Sequence, residues 1–317
     1  MSHTVLILGV RGRLGHALGL AFAQRGWRVL GHTRGPLPPD LLAAGVQPIT
    51  VPLEQPAALA RAALGAQVVV HAINPPYTRW ATEARPGLQH GMAVAEHLHA
   101  LLMFPGNVYA YGAQMPPLLR PDTPVQPSTR KGAIRAEMER LLAQQASLRS
   151  VLICAGDFFG APEGTWLDLA IAKHWRQGKL VYPGPLDKAH AWAYLPDLAQ
   201  AFVAAAQHAL ARPHTGLQRW HFAGHTLTGQ ECLGALQQAA ATLGVTPAQG
   251  WKVGGMPWPL LRWGGLLVPM WREVAEMAYL WDVPHALDGQ AMQEALNLPP
   301  ATPVDEAMVA SLRLLKA

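Results

Sequence analysis

The feature that most constrains the fold is a glycine triplet that directly follows an apolar run near the start of the chain. Residues 5–8 are aliphatic, and Gly9, Gly12 and Gly15 follow with the spacing G-x-x-G-x-x-G. Between a strand and a helix, the first glycine permits a tight turn, the second lets the backbone approach a pyrophosphate, and the third lets the helix pack against its strand. The helix N-terminus adds free N–H groups and a positive dipole end. The triplet therefore predicts a dinucleotide-binding unit.

Apolar runs alternate with helix-like segments through the first half of the chain. The spacing predicts strands at 4–9, 28–33, 46–51, 67–73, 100–106 and 149–154, and helices at 13–25, 56–64, 87–99 and 128–146. This alternation is typical of a parallel sheet with right-handed crossovers. We therefore predict an α/β fold, with a doubly wound parallel sheet of the Rossmann type.

The pattern loosens after residue 155, where proline, glycine and tryptophan become frequent and helices are predicted at 228–243 and 302–315. We predict that residues 1–155 form the core of the nucleotide-binding domain. Residues 156–317 are expected to form mostly a smaller, mainly helical substrate lobe, with some segments returning to the sheet.

Composition excludes several functional classes. Of the 317 residues half are hydrophobic and 14% are charged, and the net charge of +5 includes no run of Lys or Arg, so no nucleic-acid partner is expected. The apolar stretch at 256–271 is too short and too interrupted to cross a bilayer, so we expect no membrane partner. Two scattered cysteines and no recognisable leader suit a cytoplasmic protein. The histidines show no metal-ligand spacing, so no metal is expected.

Four further blocks extend the pattern beyond the glycine triplet. They are VVVHAIN at 68–74, NVYAYG at 107–112, PSTRKGAIRAEME at 127–139 and AYLPDLA at 193–199. With the triplet, they resemble blocks of the extended or atypical short-chain dehydrogenase/reductase superfamily. More narrowly, the chain resembles NAD-dependent epimerase/dehydratase proteins, which are nucleoside-diphosphate-sugar epimerase-like. The resemblance covers essentially the whole chain and implies a nicotinamide cofactor.

The resemblance also implies a Ser/Thr, a Tyr and a Lys as the groups that handle the proton and the substrate oxygen. Alignment on Gly112 and Glu139 puts Asn107, Lys131 and Arg135 at those positions, so all three are substituted.

Three interpretations remain open. In the first, Lys131 donates the proton, because like charge from Arg135 and desolvation ease its release, while Asn107 bonds the substrate carbonyl and Arg135 the ribose. In the second, a tyrosine hydroxyl from Tyr109, Tyr111 or Tyr77 supplies the proton. In the third, the protein binds the nucleotide without catalysis, as a sensor or interaction module.

Residues after the second strand bear on the choice of cofactor. A carboxylate there would bond the adenosine ribose and favour NAD, but the segment reads RVLGHTR and contains none. Arg11, Thr33 and Arg34 instead offer two cations and a hydroxyl for a 2′-phosphate. We therefore predict NADP in preference to NAD.

Other positions are assigned by motif or by resemblance. The remaining predicted cofactor contacts are Arg13, Leu14, Leu53, Ala72, Asn74, Arg135, Gly156 and Phe158. The predicted substrate contacts are Tyr77, Arg79, Trp80 and His190.

Taken together, these patterns predict an NAD(P)-dependent oxidoreductase or epimerase/dehydratase-like enzyme with a non-standard active site. Its expected substrate is a small carbonyl or hydroxyl compound, such as a nucleotide sugar. A homodimer is compatible with the sequence. The alternative is a non-catalytic NADP-binding sensor or protein-interaction module.

Overall fold

The structure is a computed structural model in which residues 3–315 are described. The strands are β1 (Thr4–Leu8), β2 (Arg28–His32), β3 (Gln47–Ile49), β4 (Val68–His71), β5 (Leu101–Asn107), β6 (Leu118–Leu119), β7 (Ser150–Ala155), β8 (Asp157–Phe159), β9 (Lys179–Tyr182), β10 (Ala189–Tyr194), β11 (Leu217–His221), β12 (His225–Thr228), β13 (Lys252–Gly255) and β14 (Ala286–Leu287). The helices are α1 (Arg13–Gln24), α2 (Pro39–Ala43), α3 (Pro56–Ala62), α4 (Trp80–Leu98), α5 (Arg130–Gln144), α6 (Leu195–Ala211), α7 (Gly229–Thr242), α8 (Trp258–Gly264), α9 (Pro269–Ala275), α10 (Tyr279–Asp282), α11 (Gln290–Leu296) and α12 (Val304–Leu314).

Seven parallel strands form the main sheet, in the order β11-β7-β5-β4-β1-β2-β3. The predicted Rossmann-type α/β fold is confirmed. The strand order reverses direction between β1 and β4, and in such sheets ligands bind at this switch point, beyond the carboxyl ends of the strands. All six predicted strands are present. The seventh, β11, comes from the second half of the chain and pairs with β7.

Alternation along each strand divides the core into two layers. Val5 and Ile7 of β1 pack in the layer that includes α1 and α6, whereas Leu6 and Leu8 pack in the layer that includes α3, α4 and α5. Successive side chains of a strand point to opposite faces, so a strand covered by helices on both sides is apolar throughout. Burying each such side chain stabilises the fold by about 1.5–3 kcal/mol.

Capping explains where the helix after the PST segment begins. The Thr129 hydroxyl accepts a hydrogen bond from the Gly132 N–H and starts α5 at Arg130. This satisfies one of the N–H groups that a helix leaves free in its first turn. The helix α4 begins at Trp80, seven residues earlier than predicted, and contains Pro86 near its N-terminal end. The proline thus lies inside the helix rather than just before it.

The second half of the chain forms a third hydrophobic cluster, around Trp175, Trp192 and Trp281. It combines α7 and α12 with two small sheets, β12-β10-β8 and β13-β9, so it contains more strand than the sequence pattern indicates. Among residues 3–315, no helix is both long and apolar enough to cross a membrane.

Candidate functional site

The glycine loop lies at the switch point of the sheet, and its glycine positions leave little or no room for a Cβ. Gly9 has φ +82°, and a Cβ on Gly15 would lie 2.2 Å from the Gly9 carbonyl oxygen. A Cβ on Gly12 would lie 3.2 Å from the same oxygen. Gly12 is also the N-cap of α1, which has no side-chain cap and no acidic residue in its first turn. The helix N-terminus is therefore open to an anion, and the loop fits a dinucleotide pyrophosphate.

Some residues next to this loop face the cleft and others pack in the core. The Arg13 guanidinium reaches across to the loop after β8, since a Cβ on Gly164 would lie 2.2 Å from its Nη1 atom. The Leu14 side chain is buried in the core, so its backbone N–H is the group available to a phosphate. The Ala72 carbonyl oxygen faces Gly12, while Asn74 is exposed.

The part of the cleft predicted to hold the adenosine ribose contains the Thr33 hydroxyl, which is already hydrogen-bonded, and two arginines. The Thr33 hydroxyl donates to the Gly35 carbonyl oxygen at 2.7 Å and accepts from the Gly35 N–H at 3.2 Å. Thr33 is thus already bonded within its own loop, which weakens its predicted role as a phosphate ligand. Arg34 is exposed, and Arg11 lies against Gly35, whose Cβ would be 2.6 Å from the Arg11 Nη1 atom. Leu53 is buried beneath this region.

At the opposite end of the cleft, Gly156 separates β7 from β8. A Cβ there would lie 2.2 Å from the Ala191 carbonyl oxygen, so glycine permits close packing against β10. Phe158 is half-buried against the core. The contact of Gly156 and Phe158 with the cofactor remains a prediction.

The three positions at which the family would have Ser, Tyr and Lys are engaged in structural contacts. The Asn107 side-chain oxygen accepts a hydrogen bond from the Tyr109 backbone N–H at 3.1 Å and caps the short turn after β5. Only its amide N–H groups could make the predicted contact with a substrate carbonyl.

The surroundings of Lys131 differ from the expected ones. Its side chain is 1% exposed, and its ammonium pairs with Glu273 and, at 2.5 Å, with Glu276. The Glu276 carboxylate also accepts from the Lys131 backbone N–H at 3.0 Å. Burial alone would raise the pKa of Glu276, but the bonds from Lys131 hold it below its usual value. The ammonium thus lies against two carboxylates that the sequence reasoning did not foresee, and its role as a proton donor remains a prediction.

Arg135 is held by aromatic rings. Its guanidinium lies 4.9 Å from the ring centroid of Trp80 and 5.3 Å from that of Phe104, and donates to the Pro105 carbonyl oxygen at 3.2 Å. Burial lowers its pKa. Buried His71, at the end of β4, has a pKa of about 3, first because of burial and then because of the charge of Arg135. The contact of Arg135 with the ribose remains a prediction, and these interactions would compete with it.

The structure brings together two of the predicted tyrosines. The Tyr77 and Tyr109 hydroxyls are 3.0 Å apart, and the Lys131 ammonium lies 5.4 Å from the Tyr77 ring centroid. Burial raises the pKa of Tyr77, and raises that of Tyr109 well above its ordinary value. Both phenols therefore keep their protons at neutral pH. One can donate to a substrate oxygen while accepting a hydrogen bond from the other.

Tyr111 is bonded elsewhere. The His221 Nδ1 donates to the Leu119 carbonyl oxygen at 2.9 Å, so its Nε2 accepts from the Tyr111 hydroxyl at 2.8 Å. Burial lowers the pKa of His221 to about 4, which keeps this arrangement neutral. The Tyr111 hydroxyl is therefore bonded to β11, and this bond competes with its predicted role as a proton donor.

The other predicted substrate contacts are dispersed. Arg79 is exposed and pairs with Glu83 at 2.9 Å, an arrangement typical of a solvated helix start. Trp80 is buried and donates to the Pro75 carbonyl oxygen at 2.9 Å, so it supports the Tyr77 loop from below. His190 is buried, bonds the Asp157 carboxylate at 2.9 Å, and stacks on Trp281 with centroids 4.2 Å apart.

Sequence reasoning missed three acidic residues near these positions: Asp157, Glu273 and Glu276. The last two are the only acidic residues between Trp251 and Trp281, and they are three positions apart. On a helical segment that spacing puts both carboxylates on one face, and this was the sequence feature that could have pointed to them. Residues 3–315 contain no group of three or more His, Cys, Asp or Glu side chains placed to hold a metal ion.

Comparison with known proteins identifies the family. The sequence model of the NAD dependent epimerase/dehydratase family matches residues 5–216. The chain belongs to this family. The match ends just before β11, so it includes the glycine loop and all three substituted positions. No curated protein sequence matches the chain.

Solved structures of epimerases and dehydratases share the fold over nearly the whole chain. MoeE5, in complex with UDP-glucose and NAD, is 16% identical with a TM-score of 0.73, and 98% of each chain is covered. UDP-glucose-4-epimerase from Stenotrophomonas maltophila, with bound NAD and formylated UDP-arabinopyranose, is 14% identical with a TM-score of 0.75, over 98% of this chain and 97% of that one. dTDP-glucose 4,6-dehydratase from Bacillus anthracis, in complex with NAD, is 12% identical with a TM-score of 0.73, over 99% and 96%. At these identities the likeness shows the fold.

Proposed function

We propose that this member of the epimerase/dehydratase family is an NADP-dependent enzyme that acts on a small carbonyl or hydroxyl compound, with the Tyr77 and Tyr109 hydroxyls as its proton-donating pair. The single observation that supports catalysis is this pair, 3.0 Å apart in the cleft below the switch point. When bound, the nicotinamide would supply a hydride acceptor or donor.

Each residue has a separate task in this proposal. The loop with Gly9, Gly12 and Gly15 would hold the pyrophosphate at the N-terminus of α1. Tyr77 is the less buried phenol and would donate its proton to the substrate oxygen. Tyr109 would donate a hydrogen bond to the Tyr77 oxygen, which would take a proton from solvent when the product leaves. Arg13 is the cation that extends from the loop toward the second half of the chain.

The substrate class follows from the charges around the cleft. Asp157 is 15% exposed there and bonds His190, and the nearby wall is formed by Trp281 and Tyr279. A carboxylate repels a diphosphate, so we place small neutral carbonyl compounds before nucleotide sugars as substrates. Nucleotide sugars are still included among the test substrates, because two structures of similar fold contain UDP-sugars.

Phenylalanine at either tyrosine tests the catalytic proposal. Positioned proton donors contribute about 10²–10⁴-fold to rate, so Tyr77→Phe should lower kcat about a hundredfold or more, with unchanged cofactor affinity. The assay is NADPH oxidation with a panel of small aldehydes and ketones. For UDP-glucose and dTDP-glucose, whose epimerisation or dehydration uses no net cofactor, the sugar product is analysed after incubation with NADP⁺.

Tyr111→Phe is the matched control, because it removes a hydroxyl two residues from Tyr109 that bonds His221 instead. It should cost stability of about 1 kcal/mol and leave turnover intact. Equal turnover in Tyr77→Phe and the unmodified protein would dismiss the pair as proton donors.

One observation favours the second candidate, a non-catalytic nucleotide sensor. Asn107, Lys131 and Arg135 are all engaged in structural bonds where the family would have its reactive set. Micromolar NADP binding without turnover on any member of the panel would favour this candidate over the enzyme.

The preference for NADP is tested by calorimetry. We expect NADP to bind more tightly than NAD, because Arg11 and Arg34 flank the loop after β2 and no carboxylate is present in β2. Hydrogen bonds to charged groups contribute about 1.5–3 kcal/mol each, so the double variant Arg11→Gln/Arg34→Gln should weaken NADP more than tenfold and leave NAD unchanged. Arg28→Gln is the control, since Arg28 begins β2 at its other end and bonds Gln47. Tighter binding of NAD by the unmodified protein would contradict the preference.

We also propose that residues 1–155 form the core of the nucleotide-binding part and that most of residues 156–317 form the substrate lobe, with α6 and β11 returned to the main sheet. A cytoplasmic location and a homodimer belong to the same proposal.

A further inference from the structure

The turn between α8 and α9 carries an apolar tip that the protein itself leaves uncovered. We define this tip as Trp263, Leu266, Leu267 and Val268, of which the first three are 75%, 78% and 88% exposed. Single exposed apolar residues are normal on protein surfaces, but contiguous patches mark interaction sites. Leu260, Met270 and Trp271 extend the patch along both helices and are also exposed.

Two glycines build this shape. A Cβ on Gly264 would lie 2.3 Å from the Trp271 ring, and one on Gly265 would lie 2.9 Å from the Arg272 Cα. The glycines therefore let α8 and α9 pack closely as a hairpin, which turns the residues between them outward. The exposure of the tip follows from this packing.

The charges around the apolar tip have one sign. The segment from Lys252 to Arg272 also includes Arg262 and contains no acidic residue. The next acids are Glu273, which pairs with Lys131 and also lies 3.5 Å from the Arg272 guanidinium, and Glu276, which pairs with Lys131. The segment that carries the apolar tip is therefore net basic and, together with the net charge of +5 of the chain, favours an anionic partner.

We propose that the apolar tip inserts into the surface of a bilayer that carries anionic lipid headgroups. Tryptophan and leucine beside arginine are the residue types that segments lying in a membrane interface use. This needs no spanning length, which was the basis for expecting no membrane partner. A second copy of the chain fits less well, because a two-fold contact on this patch would bring two copies of the same basic segment together.

Vesicle flotation with the full chain tests the proposal. We expect the protein to float with vesicles of phosphatidylcholine containing phosphatidylglycerol and much less with phosphatidylcholine alone. Leu266→Ser/Leu267→Ser should lower partitioning by at least about tenfold, because each methylene withdrawn from the bilayer weakens binding. Arg262→Gln should weaken binding to the anionic vesicles only.

Leu64→Ser is the matched control, since Leu64 is as exposed as Leu266, at 78%, but lies at the end of α3. It should float like the unmodified protein, and circular dichroism should show that all variants are folded. Failure of the unmodified protein to float, or equal flotation of the tip variant, would overturn the proposal. So would a dimer in light scattering that the tip variant converts to a monomer, because the patch would then be covered by a second copy.

Discussion

Gly15→Ala should weaken dinucleotide binding by about a hundredfold or more. The new Cβ would lie 2.2 Å from the Gly9 carbonyl oxygen and 3.0 Å from the Val10 Cα, and both are backbone atoms that cannot turn aside. The helix must therefore move away from β1 and carry its N–H groups with it. Losing two hydrogen bonds to the phosphates, at about 1.5–3 kcal/mol each, gives a change of this size. Calorimetry with NADP and with NAD measures it.

The same substitution should lower the free energy of unfolding by about 1–3 kcal/mol, the usual range for overpacking. Gly87→Ala is the control, because Gly87 lies in α4 with open space where the Cβ would be. It should leave binding unchanged and stabilise the helix slightly. Normal affinity in Gly15→Ala would mean that the nucleotide does not use this loop.

Lys131→Met should destabilise the protein by about 3–5 kcal/mol, the cost of leaving a buried carboxylate without its partner. The Glu273 side chain is 3% exposed and that of Glu276 is 22% exposed, so water can replace the lost ammonium only in part. Urea denaturation measures the loss. Restoring neutrality with Glu273→Gln in the same chain should recover part of it.

Lys188→Met is the matched control for this prediction, since the Lys188 side chain is 40% exposed and its partner Asp187 is more so. It should change stability by less than about 1 kcal/mol. A similarly small loss for Lys131→Met would show that the buried ion group is not formed. If Lys131 is structural, turnover per folded molecule should fall far less in Lys131→Met than in Tyr77→Phe.

The fold could be predicted from the sequence because its signals are local. Runs such as Val68–Val70 and Val151–Ile153 are apolar throughout, since helices cover both faces of their strands, and the glycine triplet marks the first turn. The site could be predicted only in part. Tyr77 and Tyr109 were candidates, but their pairing depends on how the turn after β4 meets the turn after β5.

The carboxylate partners of Lys131 could not be predicted for a related reason. Its sequence neighbour Arg135 suggested repulsion, whereas Glu273 and Glu276 lie 142 and 145 residues further along the chain. Such contacts arise from tertiary packing and leave no periodic trace near the lysine. A return of some later segments to the sheet was predicted, but β11 itself was not located for the same reason, since it follows α6 and pairs with β7.

The distance along the chain between Lys131 and its two carboxylates has a consequence for biosynthesis. At the usual rate of about 5–20 residues per second, the ribosome needs about 7–30 s to make the intervening chain. Through that interval the ammonium has no carboxylate to pair with and must stay hydrated, so α5 cannot close over it. The cleft should therefore be among the last regions to become ordered on a nascent chain, after the glycine loop and its sheet.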